Sequence, residues 1–180
     1  MRRSHAQRAA RAFARRARAI RLLTLDVDGV LTDGHLHYSP AGEEWKVFHV
    51  RDGLALVEAR GAGLEIAVVS ARASVAVARR MAELGIREVH QGVKDKSAVL
   101  ADLLRRLDLT AEQVAYMGDD LPDLPVLTSV GLALATDNAV PEVKRVAHWV
   151  SRASGGAGAV REAVEAILRA RAAWPPPTAR

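Results

Sequence analysis

Acidic, hydroxyl and ammonium side chains stand directly after the short apolar runs of this sequence. They are Asp26 with Asp28, Ser70, Lys94 or Lys96, and the group Asp119, Asp120 and Asp123. In open parallel sheets, ligands bind beyond the carboxyl ends of the strands. If the apolar runs are strands, these side chains share one rim of a sheet. Carboxylates suit a hard cation such as Mg²⁺, whereas a lysine and a hydroxyl suit phosphate.

The pair Asp26 and Asp28 indicates phosphoryl transfer. In an extended segment alternate residues point the same way, so both carboxylates lie on one side and repel unless a cation or a proton intervenes. One carboxylate can attack phosphorus and form an aspartyl-phosphate, while the other passes a proton to the leaving oxygen. The alternative is a turn in which Asp and Gly only satisfy the backbone. The polar ends of the other strands favour the chemical interpretation.

The apolar runs predict the elements that position these side chains. Each run is too short for a helix and predicts a buried strand, over 20–25, 64–69, 86–90, 114–117 and 130–134. Segments with helical spacing lie between them, over about 53–62, 74–84 and 97–107. Strands alternating with helices predict an α/β fold, a Rossmann-like parallel sheet with helices on both faces.

One segment interrupts this alternation. Residues 35–50 predict a β-hairpin inserted after the first strand, with Ser39-Pro40-Ala41-Gly42 as its turn. It carries a large apolar surface for one ribbon: Leu36, Tyr38, Trp45, Val47 and Phe48. The alternatives are a decorative surface hairpin and a flap or subunit contact, and the apolar surface favours the contact.

Composition sets the boundaries of the domain. The net charge of the whole chain is +5, but residues 1–21 alone carry +8, so the remaining chain carries −3. We therefore expect a basic N-terminal arm over 1–19, a domain over 20–173 and a Pro-rich tail over 174–180. The arm could touch nucleic acid or an anionic membrane. The favoured interpretation is a solvated helix, so we expect neither nucleic acid nor a membrane as a partner. Gly-rich residues 155–158 predict a flexible joint before a last helix over 159–173.

Two absences bear on the cell compartment. The chain has no cysteine, which excludes disulfides and thiolate metal sites. It also has no apolar run near the roughly 20 residues that span a bilayer. We therefore expect a cytoplasmic protein.

The motifs resemble those of the haloacid dehalogenase superfamily over about residues 21–168. Asp26-Val27-Asp28-Gly29 through Thr32 is similar to its first motif, Ser70 to its second, and Gly118-Asp119-Asp120 through Asp123 to its fourth. Ala71 stands where the superfamily usually has Gly. Further segments resemble its capless subfamily of 3-deoxy-D-manno-octulosonate 8-phosphate phosphatases: Thr32-Asp33-Gly34, Gly42-Glu43, Arg51-Asp52-Gly53, Gln91-Gly92 with Lys96, and residues 118–125 and 155–162.

The resemblance implies roles for the polar rim. Asp26 would be the nucleophile and Asp28 the general acid/base. Asp26, Asp28 (through its backbone carbonyl) and Asp119 would hold Mg²⁺. Ser70 would donate to a phosphoryl oxygen, and the spacing from Gln91-Gly92 selects Lys96 over Lys94 as the phosphate-binding lysine. Two further acids, Asp120 and Asp123, would orient the metal-bound water and Lys96.

The resemblance also implies substrate and partners. Contacts with a phosphorylated sugar acid would come from Asp28, His49, Val50, Arg51, Asp52, Gly53, Arg72, Arg80 and Lys96. His49 and Val57 depart from the subfamily pattern, which keeps open a phosphatase for another sugar-acid phosphate such as a nonulosonate 9-phosphate. A non-catalytic assembly or regulatory subunit with the same fold is the alternative from another class. Hairpins packing into a shared barrel would give a homotetramer, and 155–158 would be a mobile hinge.

Overall fold

The computed structural model describes residues 2–175, and their side chains from residue 7 onward. The strands are β1 Leu22–Leu25, β2 His37–Tyr38, β3 Glu44–Trp45, β4 Glu65–Val69, β5 Glu88–His90, β6 Val114–Gly118, β7 Leu132–Ala135 and β8 Trp149–Val150. The helices are α1 Arg2–Ala19, α2 Val50–Gly61, α3 Val75–Glu83, α4 Lys96–Leu107, α5 Leu124–Leu127, α6 Pro141–Val146 and α7 Ala159–Ala170. Within 2–175, no helix has the length and apolarity to cross a bilayer.

Six strands form one parallel sheet in the order β5-β4-β1-β6-β7-β8. The central strand β1 pairs with β4 on one side and β6 on the other, so that Leu25 stands opposite Val68 and Met117. The predicted α/β fold is confirmed, and residues 2–175 hold no cap domain. The edge strand β8 and the short helices α5 and α6 were not predicted, because each has too few residues to show a hydrophobic period.

Both faces of the sheet are covered by helices. Leu23 and Leu25 of β1 pack into one core with residues of α2, α3 and α7, whereas Leu22 packs into a second core with Leu103 of α4. Alternate residues of a strand face opposite sides. Both faces of β1 are therefore covered, and its nearly continuous apolar run is buried throughout. Solvent and ligands can reach this strand only at its carboxyl end, on the rim of the sheet.

The inserted hairpin has a shorter ladder than predicted. It pairs His37 with Trp45 and Tyr38 with Glu44, and its turn closes at Gly42, whose φ of +83° favours glycine. The predicted ribbon over 35–50 ends before Val50, which starts α2. The ribbon therefore returns directly into a helix that packs on the core.

The helix α1 agrees with the predicted helical arm, but its second half packs on the domain. Ala17 and Ile20 are buried, and the Phe13 ring lies 6.2 Å from that of Trp149. Arg16 Nη1 also donates to the Gly131 carbonyl at 2.8 Å. Phe13 and Ala17 lie one turn apart on α1, and Ile20 follows the end of the helix, so the second half of the basic segment contacts the domain.

The predicted flexible joint is packed against the loop that follows β1. Gly155 N donates to Asn138 Oδ1 at 2.8 Å, and Gly156 N donates to the Val30 carbonyl at 3.1 Å. A Cβ on Gly155 would lie 1.8 Å from the Gly29 carbonyl oxygen. These contacts hold the glycine segment in place within a single chain.

The final helix α7 ends at Ala170, earlier than the predicted end at 173. Trp174 then folds back, with the Arg161 guanidinium 4.7 Å from its ring centroid. Of the predicted tail over 174–180, residues 176–180 lie outside the described part of the chain.

Candidate active site

A cleft of about 280 Å³ opens at the carboxyl ends of β1, β4 and β6. Its lining residues are Asp26, Asp28, Gly34, Ser70, Ala71, Arg72, Lys96, Asp119, Asp120, Pro122 and Asp123. The structure thus brings together the polar rim that the sequence analysis predicted, from segments far apart in the chain. Five carboxylates face Lys96 and Arg72 here, so the lining has an excess of negative charge.

Asp26 directly follows β1 and is 8% exposed. Its backbone N–H donates to the Met117 carbonyl at 3.0 Å, which continues the pairing of β1 with β6. Burial and the charge of Asp123 raise the pKa of the Asp26 carboxyl to about 6, against the lowering effect of Lys96. The carboxylate is therefore ionised near neutral pH and only weakly solvated, as a nucleophile requires.

Lys96 reaches the cleft because it is the first residue of α4. Its Nζ donates to Asp26 Oδ1 at 2.8 Å and to Asp123 Oδ1 at 2.7 Å. Burial disfavours the charge on Lys96, but Asp26 and Asp123 together raise its pKa above the ordinary value. Lys94 is exposed and does not line the cleft, so the structure agrees with the selection of Lys96.

Asp123 is the most heavily hydrogen-bonded carboxylate of the site. Besides Lys96, its Oδ1 accepts from the Tyr116 hydroxyl at 2.6 Å, and its Oδ2 accepts from the backbone N–H groups of Asp119 at 3.0 Å and Asp120 at 3.3 Å. These contacts use both oxygens, which fits the predicted orienting role. Tyr116 was missed by the sequence analysis, because within β6 it has the pattern of a core residue.

Asp120 has a more local contact. It is exposed, and its Oδ1 accepts from the Leu121 N–H at 2.7 Å, at the start of the short turn that carries Asp123. Its side chain therefore stabilises the turn, while its position keeps a further negative charge at the cleft.

Asp119 has the environment of a metal ligand. Its Oδ1 is buried without a hydrogen-bond partner among the described residues, which is costly unless an ion binds there. Burial, followed by the charges of Asp26, Asp123 and Asp120, raises the pKa of Asp119 to about 8. Carboxylate oxygens of Asp26, Asp119 and Asp123 lie within 4.8 Å of one another. The donor set is all oxygen, so these residues fit a hard divalent cation.

Gly29 makes room for Asp119. A Cβ at this position would lie 2.0 Å from Asp119 Oδ2, and its φ is +94°. The glycine of the Asp26-Val27-Asp28-Gly29 segment is therefore required both by the backbone conformation and by the close approach of the carboxylate.

Ser70 directly follows β4 and is 2% exposed. Its Oγ accepts from the Arg72 backbone N–H at 3.2 Å. The N-cap position of α3 belongs to Ser74, so capping that helix does not account for Ser70. Its hydroxyl lies at the cleft with its own proton available to an acceptor such as a phosphoryl oxygen.

The second predicted carboxylate of the pair, Asp28, lies outside the acidic trio. Its Oδ1 accepts from Lys46 Nζ, and its Oδ2 is 3.9 Å from Arg72 Nε. Glu44 joins these cations, since its Oε1 accepts from Lys46 at 3.1 Å and from Arg72 Nη2 at 3.2 Å. The hairpin thus supplies one wall of the site through Glu44 and Lys46.

Lys46 was missed by the sequence analysis, although a signal for it exists. In the extended segment formed by β3 and the residues after it, Trp45 and Val47 are exposed. The alternation of a strand then turns Glu44 and Lys46 inward. Docking of the hairpin on the cleft, which local pattern does not reveal, decides what they contact.

Most of the predicted sugar-acid contacts do not line the cleft of a single chain, and their role in binding the substrate stays a prediction. His49, Asp52, Gly53 and Arg80 line a separate cavity of about 10 Å³. Val50 and Arg51 are exposed on α2 and outside the cleft lining. Of the predicted contacts, only Asp28, Arg72 and Lys96 line the cleft.

Asp52 has a structural partner for one of its two buried carboxylate oxygens, while Oδ2 has none among the described residues. Its Oδ1 accepts from the Arg161 backbone N–H at 2.7 Å, in the first turn of α7. Burial raises the pKa of Asp52 above its ordinary value despite this bond. The carboxylate thereby joins the start of α2 to the start of α7.

Comparison with known proteins adds independent information. Residues 85–163 match a family model described as haloacid dehalogenase-like hydrolase. A 3-deoxy-D-manno-octulosonate 8-phosphate phosphatase of Escherichia coli K12 is 44% identical over 156 residues, covering 87% of this chain and 83% of the relative.

Two solved structures have the same fold throughout. A putative hydrolase of the superfamily from Legionella pneumophila superposes with a TM-score of 0.92 at 40% identity, covering 94% of this chain and 93% of the other. The 3-deoxy-D-manno-octulosonate 8-phosphate phosphatase of Moraxella catarrhalis, solved with magnesium, phosphate and the sugar acid, gives 0.88 at 38% identity, covering 90% and 93%.

Proposed function

Since the chain belongs to the haloacid dehalogenase-like hydrolases and is a phosphoric monoester hydrolase, we propose that it hydrolyses 3-deoxy-D-manno-octulosonate 8-phosphate to the free sugar acid and phosphate. The observation that carries the proposal is the contact of Asp26 with Lys96 at the floor of the cleft, next to Asp119 Oδ1, which has no hydrogen-bond partner within residues 2–175. The substrate comes from the relatives, whose names state it.

We further propose that Mg²⁺ is required. Asp26 and Asp119 would hold it through side-chain oxygens and Asp28 through its backbone carbonyl, since the Asp123 oxygens already accept four hydrogen bonds. The ion would offset the repulsion between carboxylates and phosphate and stabilise negative charge during transfer. The all-oxygen donor set and the acidic excess of the cleft support this choice of metal.

In the first step, an Asp26 carboxylate oxygen attacks phosphorus while the bond from phosphorus to the sugar oxygen breaks. Asp28 gives a proton to that leaving oxygen, and the sugar departs as an alcohol. Lys96 and the Ser70 hydroxyl bind the phosphoryl oxygens and keep phosphorus in line with the attack. The product of this step is an aspartyl-phosphate at Asp26.

In the second step, water attacks phosphorus and the bond to Asp26 breaks. Asp28, now ionised, takes a proton from the water, which returns it to its protonated form; cleavage of the bond from phosphorus restores the Asp26 carboxylate and releases inorganic phosphate. Asp123 and Tyr116 hold Lys96 in position throughout. The sum of the two steps is ester plus water giving alcohol plus phosphate.

Arg72 would bind the carboxylate of the substrate at the mouth of the cleft. Its guanidinium already contacts the Tyr38 hydroxyl at 3.0 Å and Glu44 at 3.2 Å, and a planar guanidinium suits carboxylate recognition. The position of Arg72 on the lining supports a substrate that carries two anionic groups.

A homotetramer is the assembly that we propose. Leu36, Tyr38, Trp45 and Val47 of the hairpin are 46–63% exposed, and Val50 beside them is 78% exposed. Burial of this apolar surface against other copies would lower the free energy of the assembly. Light scattering after gel filtration measures the subunit number, and Trp45→Lys should shift the protein toward monomers.

The decisive test of the function is phosphate release from a panel of sugar-acid phosphates, with Mg²⁺ or with EDTA. We expect the highest kcat/KM for the eight-carbon acid and no release in EDTA. A clear preference for a nonulosonate 9-phosphate would change the substrate. No release from any ester in Mg²⁺ would favour a non-catalytic subunit.

A further inference from the structure

We propose that Lys46, directly after β3 in the returning arm of the hairpin, is a positioning residue for the proton-transfer step. It holds the Asp28 carboxylate in the orientation from which a proton passes to the leaving oxygen. The inference rests on the proposed function, in which Asp28 handles that proton.

Lys46 is an inward-facing cation on an otherwise exposed ribbon. Its neighbours Trp45 and Val47 are 60% and 63% exposed, whereas the Lys46 side chain is 2% exposed. A buried ammonium costs free energy unless carboxylates accept its protons. Lys46 has two such partners, Asp28 and Glu44. A solvated surface lysine would not have this environment.

The contact fixes one oxygen of the catalytic carboxylate and leaves the other for the substrate. Lys46 Nζ donates to Asp28 Oδ1, while Oδ2 is 3.9 Å from Arg72 Nε at the cleft. Proton transfer requires the carboxyl oxygen to lie within hydrogen-bond reach of the leaving oxygen. Without Lys46, Asp28 can rotate about its side-chain bonds, and fewer encounters have this geometry.

A different explanation is that Lys46 only docks the hairpin. A variant of Glu44 can distinguish the two explanations. Glu44 joins the hairpin to Arg72 at 3.2 Å, and within residues 2–175 it makes no hydrogen bond to Asp28. Loss of the Glu44 charge weakens the docking of the hairpin but keeps the donor to Asp28. A docking role therefore predicts the same defect in Glu44→Gln as in Lys46→Met.

The experiment compares kcat/KM for two esters that differ in their leaving groups. The alkoxide of 3-deoxy-D-manno-octulosonate 8-phosphate needs a proton to leave, whereas the phenolate of 4-nitrophenyl phosphate leaves without one. We expect Lys46→Met to lower kcat/KM on the order of 10²-fold for the sugar ester and less than about 10-fold for the aryl ester. Asp28→Asn should show the same pattern. The exposed-lysine control Lys94→Met should keep the wild-type ratio. Because Glu44 also contacts Arg72, which we propose binds the carboxylate of the sugar acid, Glu44→Gln is compared by kcat at saturating substrate, where it should keep the wild-type ratio of the two esters.

The ratio of the two values is independent of the folded fraction, so partial misfolding cannot imitate the expected result. Lys46→Ala is measured in the same way if the methionine variant does not fold. Equal losses for both esters, or the same selective loss in Glu44→Gln, would overturn the role of Lys46 and leave the proposed function intact. An Asp28→Asn enzyme with equal losses would instead refute the proposed role of Asp28, and the inference with it.

Discussion

The Lys96 ammonium donates to the Asp26 carboxylate at 2.8 Å, across 70 residues of sequence. Lys96→Met should therefore lower kcat/KM by on the order of 10²–10⁴-fold, because it removes the cation that faces the phosphoryl oxygens. Lys94→Met is the matched control, since Lys94 is exposed outside the cleft lining, and its kinetics should equal the wild type. Steady-state phosphate release with both variants measures this, and a Lys94 variant as impaired as the Lys96 variant would contradict the assignment.

The pKa values of Asp26 and Asp119 predict how stability depends on pH without metal. They are raised to about 6 and about 8, chiefly by burial, whereas an unfolded Asp titrates near about 3.9. The folded protein then binds more protons than the unfolded chain up to about pH 8. Its free energy of unfolding in EDTA should therefore fall as the pH rises from about 6.5 to 8.5, by on the order of 1–2 kcal/mol.

Urea unfolding at several pH values measures this dependence. Saturating Mg²⁺ should abolish the fall, because it binds the ionised carboxylates, and its apparent affinity should increase with pH over the same range. A stability in EDTA that rises with pH would contradict the environment described for Asp119.

The close approach of Asp119 to Gly29 allows a steric test of the metal site. A Cβ at Gly29 would lie 2.0 Å from Asp119 Oδ2, so Gly29→Ala should displace that carboxylate and abolish stimulation by Mg²⁺. The positive φ adds a strain of about 1–3 kcal/mol. Gly61→Ala is the control, because Gly61 lies at the end of α2 with nothing within 4 Å. It should retain Mg²⁺-dependent activity; loss of activity in both variants would argue against a specific clash.

Two truncations of the basic helix α1 should differ in their effect on stability. Removal of residues 1–12 keeps Phe13 and Ala17, so thermal unfolding should be nearly unchanged. Removal of residues 1–19 exposes the surface under Phe13 and Ala17 and should cost on the order of 2–4 kcal/mol. The part of α1 whose side chains are described, from residue 7 onward, does not line the cleft, so both proteins should release phosphate at temperatures at which they are folded. A shorter truncation that unfolds as readily as the longer one would contradict this packing.

The strand ends were predictable from sequence because the rule behind them is local. Asp26, Ser70 and Asp119 follow apolar runs, and parallel strands bring their carboxyl ends to one rim. Lys46 and Tyr116 were missed because their roles depend on contacts made in three dimensions, by a docked hairpin and by a turn that returns to β6.

The positions of the predicted sugar-acid contacts, unlike the strand ends, could not be derived from a local rule. A motif gives residue types but not which way a helix presents them. In this chain Asp52 faces α7 and Arg80 covers Gly53, at 2.2 Å from where its Cβ would be. The same holds for the glycines at 155 and 156, which suggest flexibility by composition. Here they permit close packing against the loop after β1.

The most direct test of the account is detection of the covalent intermediate at Asp26. Acid quenching during turnover with Mg²⁺, followed by borohydride reduction and peptide mass analysis, should convert Asp26 to homoserine in the wild-type enzyme. Asp26→Asn should yield no such product and should lose on the order of 10⁴-fold or more in kcat. Absence of the modification at Asp26 together with substantial turnover by the Asn variant would contradict nucleophilic attack by Asp26 and point to direct attack by water.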